Sequence, residues 1–182
     1  MSIQTRRKFI QISGLTGAAF ALGFSKNGSA NGIFNISKNA PIADNFDITP
    51  FISIEKSGKI TIVNIKPDMG QGTFQSIPAL IAEELEVPLE AATIVQSGGE
   101  AKFGDGQSAG GSYSVRGSYF QMRTIGAAAR EMLVKAAAQK WAVPENECFA
   151  EAGKIVHRPT GRQFGYGELA ELAAKERIGR TG

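Results

Sequence analysis

Two glycine-rich turns contain the residues of this chain that are best suited to bind a ligand. The first is MGQGT at residues 69–73 and the second is AGGSYS at residues 109–114. Each turn leads directly into a segment with helical spacing. Glycine allows positive φ and close approach of the backbone to a ligand, and the N–H groups that open a helix carry partial positive charge. Two such turns in one chain predict a large anionic ligand.

The side chains at the two turns indicate different parts of that ligand. Gln71 lies between two glycines, and its amide can donate and accept hydrogen bonds, which suits a heterocycle or an oxo group better than a bare phosphate. Ser112 and Ser114 add hydroxyl groups to the second turn, which suits a phosphate. The candidate cofactor-binding residues are Gly70, Gln71, Gly72, Gly110, Gly111, Ser112 and Ser114. Taken singly, each turn is better explained without a ligand, one as a loop with a helix cap and the other as a flexible Gly/Ser connector.

Composition excludes several classes of function. With 182 residues and 42% hydrophobic content, the chain can form one domain with a core. The net charge of +3 comes from four basic residues within the first 30, so we expect no basic surface for nucleic acid. Cys148 and His157 are the only cysteine and histidine, which excludes an intrachain disulfide, a cysteine-ligated iron–sulfur cluster and a multi-histidine metal site. We expect Cys148 to be an inert thiol and His157 to lie on the surface of a hairpin.

The N-terminus has the features of an export signal. The sequence TRRKFI at residues 5–10 is a twin-arginine pattern, followed by a glycine-interrupted apolar run and the small residues that end at Ala30. Residues 1–30 are therefore predicted to be a twin-arginine signal peptide, and the mature protein to be periplasmic. An uncleaved membrane anchor is the alternative. Residues 31–47 are polar and aperiodic, which predicts a linker.

The apolar pattern of the remaining chain predicts an α+β domain of antiparallel strands and several helices over residues 48–176. Predicted strands cover residues 51–55, 60–65, 92–96, 149–152 and 154–157, and predicted helices cover residues 74–86, 118–141 and 166–175. The first turn therefore lies at a strand-to-helix junction. Glu83, Glu84 and Glu86 share a predicted helix, where a solvated face explains them, so we give them no catalytic role.

Several segments, in this order and spacing, resemble the molybdopterin-binding large subunits of the xanthine oxidase and aldehyde oxidase family. The similarity is greatest to the branch of isoquinoline 1-oxidoreductase β subunits and related aldehyde dehydrogenases. The matching segments are KPDMGQGT at 66–73, AEELEV at 82–87, GGSYSVRGS at 110–118, GAAAREML at 126–133, GR at 161–162 and YGEL at 166–169.

The resemblance implies a molybdenum cofactor-binding domain of the aldehyde oxidase and xanthine dehydrogenase type. The implied enzyme is a molybdenum hydroxylase that oxidises an N-heterocycle or an aldehyde with water-derived oxygen, using molybdopterin cytosine dinucleotide. By position, Gly70, Gln71 and Gly72 match the turn near the molybdenum and dithiolene. The second turn, Gly110, Gly111, Ser112 and Ser114, matches the one that contacts the pyrophosphate. The implied partner is a small subunit with two [2Fe–2S] clusters, or another downstream electron acceptor, together with the missing remainder of the large subunit.

The chain also departs from that family. Family members are several times longer and carry a catalytic glutamate in a Gly-Glu-Pro segment, which this sequence lacks. The catalytic base therefore stays unassigned, and no residue is assigned to a metal. Residues 177–182 form an atypical C-terminal tail. We expect a fragment of a large subunit that is inactive without the remainder. The alternative is an exported, non-catalytic module that binds a nucleotide or a phosphate.

Overall fold

The computed structural model describes residues 45–178, which form two β-sheets and three helices. In chain order, the strands are β1 (Asn45–Thr49), β2 (Ile52–Glu55), β3 (Ile60–Asn64), β4 (Ala92–Gln96), β5 (Cys148–Glu151), β6 (Lys154–His157) and β7 (Arg162–Gly165). The helices are α1 (Thr73–Glu84), α2 (Ser114–Trp141) and α3 (Tyr166–Ile178). The α+β class predicted from the sequence is confirmed.

The first sheet has the order β1-β2-β3-β4 and combines both kinds of strand pairing. Strands β1, β2 and β3 form an antiparallel meander, whereas β3 and β4 are parallel and are joined through α1. A parallel pair needs such a crossover because its strands run in the same direction. This parallel pair differs from the antiparallel arrangement predicted from the sequence. The second sheet, β5-β6-β7, is antiparallel throughout.

The core lies between the first sheet and the three helices. Strands β2 and β3 bury alternate isoleucines, because successive side chains of a strand point to opposite faces. Helix α1 buries side chains four residues apart, which is the spacing of one helix face. The fully buried members include Ile54, Ile62, Ile77, Ile81, Met122, Leu133 and Leu169. Within residues 45–178, no helix has both the length and the apolarity to cross a membrane.

Helices α1 and α2 pack closely at Gly126. A Cβ atom added there would lie 2.5 Å from the carbonyl oxygen of Ile81 and 2.9 Å from the Cβ of Glu84. Glu84 is largely buried beside this contact and pairs with Arg123 and Arg130 of α2. The solvated face predicted for the three glutamates is therefore wrong at Glu84, because α2 covers it.

The observed boundaries refine the predicted ones. Strand β1 begins at Asn45, inside the predicted linker of residues 31–47, because Ile48 enters the core and Phe46 packs against it. Helix α2 begins at Ser114, four residues before the predicted start. Helix α3 continues to Ile178, into the predicted tail of residues 177–182. The predicted signal peptide, residues 1–30, lies outside the described residues.

Candidate cofactor-binding site

The parallel pair β3–β4 brings both glycine turns to one edge of the sheet. Asn64 at the end of β3 is in register with Gln96 at the end of β4, and the amide of Ser97 donates to the Asn64 carbonyl at 2.8 Å. The loops that leave these strands contain the first and second turns, and helices α1 and α2 begin directly after them. The carboxyl edge of parallel strands is where α/β proteins commonly bind ligands.

The first turn is held by the carboxylate of Asp68. Its oxygens accept hydrogen bonds from the amides of Gly70 at 2.8 Å, Gly72 at 3.4 Å and Phe74 at 2.7 Å. These bonds, led by that from Phe74, hold the pKa of Asp68 below its ordinary value of 3.8. The φ angles of Gly70 and Gly72 are 101° and 82°, which only glycine adopts readily. The turn is therefore closed around an internal anion.

The side chain of Gln71 is also used within the first turn. Its Oε1 accepts from the amide of Met69 at 2.6 Å, and its Nε2 donates to the carbonyl of Pro67 at 2.7 Å and to the hydroxyl of Thr73 at 3.1 Å. Gly70, Gln71 and Gly72 are all exposed. In this conformation, the Gln71 amide fixes the shape of the loop, and the loop surface faces solvent.

The second turn has a different structure. The amide of Tyr113 donates to the carbonyl of Gly110 at 3.1 Å, and Gly111 and Ser112 have φ angles of 57° and 53°. This pattern of two positive φ angles is typical of a type I′ turn. Ser114 is the first residue of α2, so the predicted helix entry is found here.

The second turn leaves backbone donors available. Among the described residues, the amides of Ser114, Val115 and Arg116 have no hydrogen-bond acceptor, as expected at the first turn of a helix. A Cβ atom added to Gly110 or Gly111 would meet nothing within 4 Å, so the approach to this turn is open. The second turn therefore has the donors and the space for a phosphate group, whereas the first has its donors already occupied.

Large apolar side chains are exposed around both turns. They lie at the first turn and at the beginnings of α1 and α2: Met69, Phe74, Tyr113, Val115, Tyr119 and Phe120. Met69 and Phe120 are 79% and 80% exposed. An exposed apolar surface beside an open polar turn is typical of a region that contacts a ligand or another polypeptide segment.

Two residues of this site were missed in the sequence analysis, Lys66 and Asp68. Lys66 is buried, and its ammonium donates to the carbonyls of Gly106 and Ser108 in the loop that precedes the second turn. Asp68 precedes Gly70 by two residues, the position from which an aspartate commonly accepts backbone bonds in a turn. That spacing was a usable signal for Asp68. The role of Lys66 has no local signal, because its partners lie about 40 residues away.

The remaining candidate groups lie away from this edge. His157 is 3% exposed, so its predicted surface position is wrong. Its ring nitrogens contact Glu147 at 2.8 Å and Thr160 at 2.7 Å, and the Trp141 ring lies beside it. Cys148 is buried, and burial raises its pKa, as expected of an inert thiol. In residues 45–178, no three His, Cys, Asp or Glu side chains are grouped so that they could hold a metal ion.

Comparison with known proteins identifies the family. The molybdopterin cofactor-binding domain family matches residues 13–182, which is most of the chain. The chain belongs to this family. It is 31% identical over 125 residues to the isoquinoline 1-oxidoreductase subunit β of Brevundimonas diminuta, covering 65% of this chain and 16% of that protein. It is also 31% identical over 165 residues to the membrane-bound aldehyde dehydrogenase [pyrroloquinoline-quinone] of Gluconacetobacter polyoxogenes, covering 91% of this chain and 21% of that protein.

Solved structures support the fold of this molybdopterin cofactor-binding domain. Quinoline 2-oxidoreductase from Pseudomonas putida 86 superposes with a TM-score of 0.54 at 19% identity, over 70% of this chain and 16% of that one. CO dehydrogenase from Oligotropha carboxidovorans gives a TM-score of 0.50 at 22% identity, over 65% of this chain and 15% of that one. The chain thus spans about a fifth or less of the length of these similar proteins.

Proposed function

We propose that this chain contributes part of the cofactor cradle of a molybdenum hydroxylase that oxidises an N-heterocycle or an aldehyde with water-derived oxygen. The observation that carries the proposal is the in-register ending of β3 and β4, which places the exposed first glycine turn and the open second one at the same sheet edge of a molybdopterin cofactor-binding domain. The names of the two curated relatives, an isoquinoline oxidoreductase subunit and an aldehyde dehydrogenase, support these two substrate classes.

The proposed cofactor is molybdopterin cytosine dinucleotide. The free amides at the start of α2, with the hydroxyls of Ser112 and Ser114, are the groups suited to its pyrophosphate. The first turn, Gly70 to Gly72, would lie against the pterin end as an exposed surface shaped by Asp68 and Gln71. When bound, the cofactor supplies the two-electron oxidation chemistry. The residues described here bind and orient it, and no catalytic base is assigned among them.

The proposed partners follow from the small share of the relatives that this chain covers. We propose that the remainder of a large subunit covers the exposed apolar side chains at this edge and completes the cofactor site. A small subunit with [2Fe–2S] clusters would accept the electrons. The clusters would lie on that subunit because the single cysteine of this chain cannot ligate such a cluster. The chain by itself is then inactive.

The first experiment is to produce the chain together with the products of its flanking genes in a host that makes molybdopterin cytosine dinucleotide. Purified protein is assayed for molybdenum, for CMP released by acid hydrolysis, and for pyrroloquinoline quinone. Molybdenum and CMP in equal amounts are the expected result. Folded protein that binds a nucleotide without molybdenum would instead support the non-catalytic binding module, and quinone without molybdenum would also contradict the proposal.

Matched variants test the first turn in the same preparation. Gln71→Ala removes the amide that closes the turn, so we expect molybdenum retention to fall by about tenfold or more, as for residues that orient a metal site from outside it. Glu83→Ala is the control, because Glu83 is exposed on α1 outside both turns. If the two variants retain equal amounts of molybdenum, the assignment of the first turn to the cofactor site is contradicted.

We also propose that the protein is exported to the periplasm by the twin-arginine route. The support is the TRRKFI sequence at residues 5–10 and the small residues before position 30. This route transports folded proteins, which suits a cofactor inserted before export. Replacing both arginines by lysine, Arg6→Lys with Arg7→Lys, should retain the protein in the cytoplasmic fraction. An unchanged distribution between fractions would contradict the proposal.

A further inference from the structure

Lys66 precedes the first glycine turn by three residues, and its side chain contacts the loop that leads into the second. It is 8% exposed, and its ammonium donates to the carbonyls of Gly106 and Ser108, the latter at 3.2 Å. Ser108 is two residues before Gly110, at the entrance to the second turn. The side chain of Lys66 therefore anchors the loop that positions this turn.

The backbone of Lys66 is held by the ends of the parallel strands. The Asn64 side chain donates to the Lys66 carbonyl at 2.7 Å and accepts from the Lys66 amide at 3.2 Å. The same Asn64 amide group donates to the Gln96 side chain of β4 at 2.8 Å. Asn64 is fully buried, so Lys66 is fixed to the carboxyl ends of both β3 and β4.

The first turn is built on the residue that follows Lys66. The carbonyl of Pro67 accepts from the Gln71 side chain at 2.7 Å and from the Thr73 hydroxyl at 3.0 Å. A shift of Lys66 would therefore move the support of the first turn and release the loop before the second. Among the described residues, the hydrogen bonds between residues 65–73 and residues 98–113 are those of the Lys66 ammonium.

The charge of Lys66 is unusual for its location. Ammonium groups are seldom buried without a carboxylate, because desolvation is costly unless a partner compensates for it. Among residues 45–178, no carboxylate forms an ion pair with Lys66, and its ammonium donates to carbonyl oxygens. An apolar side chain of similar length would fill the same space without this desolvation cost. The ammonium supplies two directed hydrogen bonds and a positive charge at this edge, which an apolar side chain would not.

We propose that Lys66 is a positioning residue that fixes the second glycine turn relative to the first and so sets the span available to an anionic ligand. The identity of that ligand rests on the proposed function, whereas the anchoring of the loop does not. The lysine acts through the backbone of residues 106–108, and it is not a catalytic residue.

Hydrogen exchange of the full chain tests the anchoring. Lys66→Met keeps the length of the side chain but removes the donors, so amides in the 97–111 loop, such as Phe103 and Gly104, should exchange about tenfold faster or more. Exchange in α3 and in the second sheet should be unchanged, which distinguishes local release from general unfolding. Lys66→Arg should restore part of the protection, and Lys154→Met, at an exposed lysine of β6, is the control. Unchanged exchange of the loop in Lys66→Met would overturn the proposal.

Titration with inorganic pyrophosphate tests the positioning role without an activity assay. We expect Lys66→Met to weaken the binding of pyrophosphate by about tenfold and Lys66→Arg to recover most of it. If the 97–111 loop exchanges faster in Lys66→Met but the affinity for pyrophosphate is unchanged, the positioning role is overturned. If the wild-type chain binds no pyrophosphate, the phosphate site of the proposed function fails, and the exchange result alone decides whether Lys66 anchors the loop.

Discussion

At the residue scale, Asp68 changes the interpretation of the first glycine turn. A glycine-rich turn before a helix is commonly a binding site for an external anion. Here the carboxylate of Asp68 already accepts hydrogen bonds from Gly70, Gly72 and Phe74. The Asp68 carboxylate therefore already compensates the positive potential at the start of α1. This leaves the second turn as the one suited to phosphate.

The first prediction concerns the pH dependence of this turn. Because the folded-state pKa of Asp68 is below 3.8, its stabilising bonds are fully present above that pH and are lost as the pH falls through the folded-state pKa. The amide NMR shifts of Gly70 and Phe74 should therefore titrate together with a midpoint below 3.8. Asp68→Asn should abolish this transition. A midpoint at or above 3.8 would contradict the hydrogen-bonding pattern described here.

At the element scale, the close crossing of α1 and α2 determines how both helices extend from the sheet edge. Gly126 allows α2 to approach the Ile81 carbonyl. Beside this contact, ion pairs of Glu84 with Arg123 and Arg130 connect the two helices. Both helices begin at the glycine turns. Their packing therefore contributes to the separation of the two turns.

The second prediction compares two glycines of α2. In Gly126→Ala, the new methyl group would meet backbone, so the free energy of unfolding should fall by about 1–3 kcal/mol. In Gly117→Ala, the three atoms nearest to the methyl group would all belong to the exposed ring of Tyr113, which can turn away, and the higher helix propensity of alanine adds up to about 1 kcal/mol. Urea denaturation of both variants measures the difference. Equal stability of the two would show that the helices can separate at Gly126 without cost.

At the scale of the whole molecule, the two sheets share one core. The buried hydroxyl of Tyr166, at the start of α3, donates to the Leu85 carbonyl at 2.7 Å, and the amide of Gly153 donates to the Glu86 carbonyl at 3.0 Å. Trp141, at the end of α2, stacks on Phe164 of β7 at 4.7 Å. These contacts connect the second sheet to α1 and α2, so we expect the sheets to unfold together.

The third prediction uses Trp141, the only tryptophan, as a probe of this coupling. Ile62 is fully buried in the first sheet, so Ile62→Ala should lower the free energy of unfolding by about 2–5 kcal/mol. The urea midpoint of Trp141 fluorescence should fall by the same amount as that of far-UV circular dichroism, although Trp141 lies at the second sheet. Separate midpoints, or a fluorescence transition that Ile62→Ala leaves unchanged, would show two independent units.

The sequence predicted most elements because their signals are local. Alternating isoleucines identify β2 and β3, and the spacing of Ile77, Ile81 and Leu85 identifies α1. The prediction failed for β7, which is short and has polar residues, and for His157. The burial of His157 depends on Trp141 and Glu147, which are distant from it along the chain. Such contacts leave no periodic pattern in the sequence.

The sequence by itself determined the α+β class, the family resemblance and the positions of the two glycine turns, because turn chemistry and hydrophobic periodicity are properties of neighbouring residues. Only the tertiary structure decided that β3 and β4 are parallel and end together, which places both turns at one edge. It also decided that Asp68 occupies the donors of the first turn and that Lys66 anchors the loop before the second. The contacts of the Lys66 ammonium and the strand register join residues 32 or more positions apart, so no linear pattern specifies them. The spacing of Asp68 before Gly70 signals a turn in the sequence, but only the folded turn decides which amides its carboxylate accepts from.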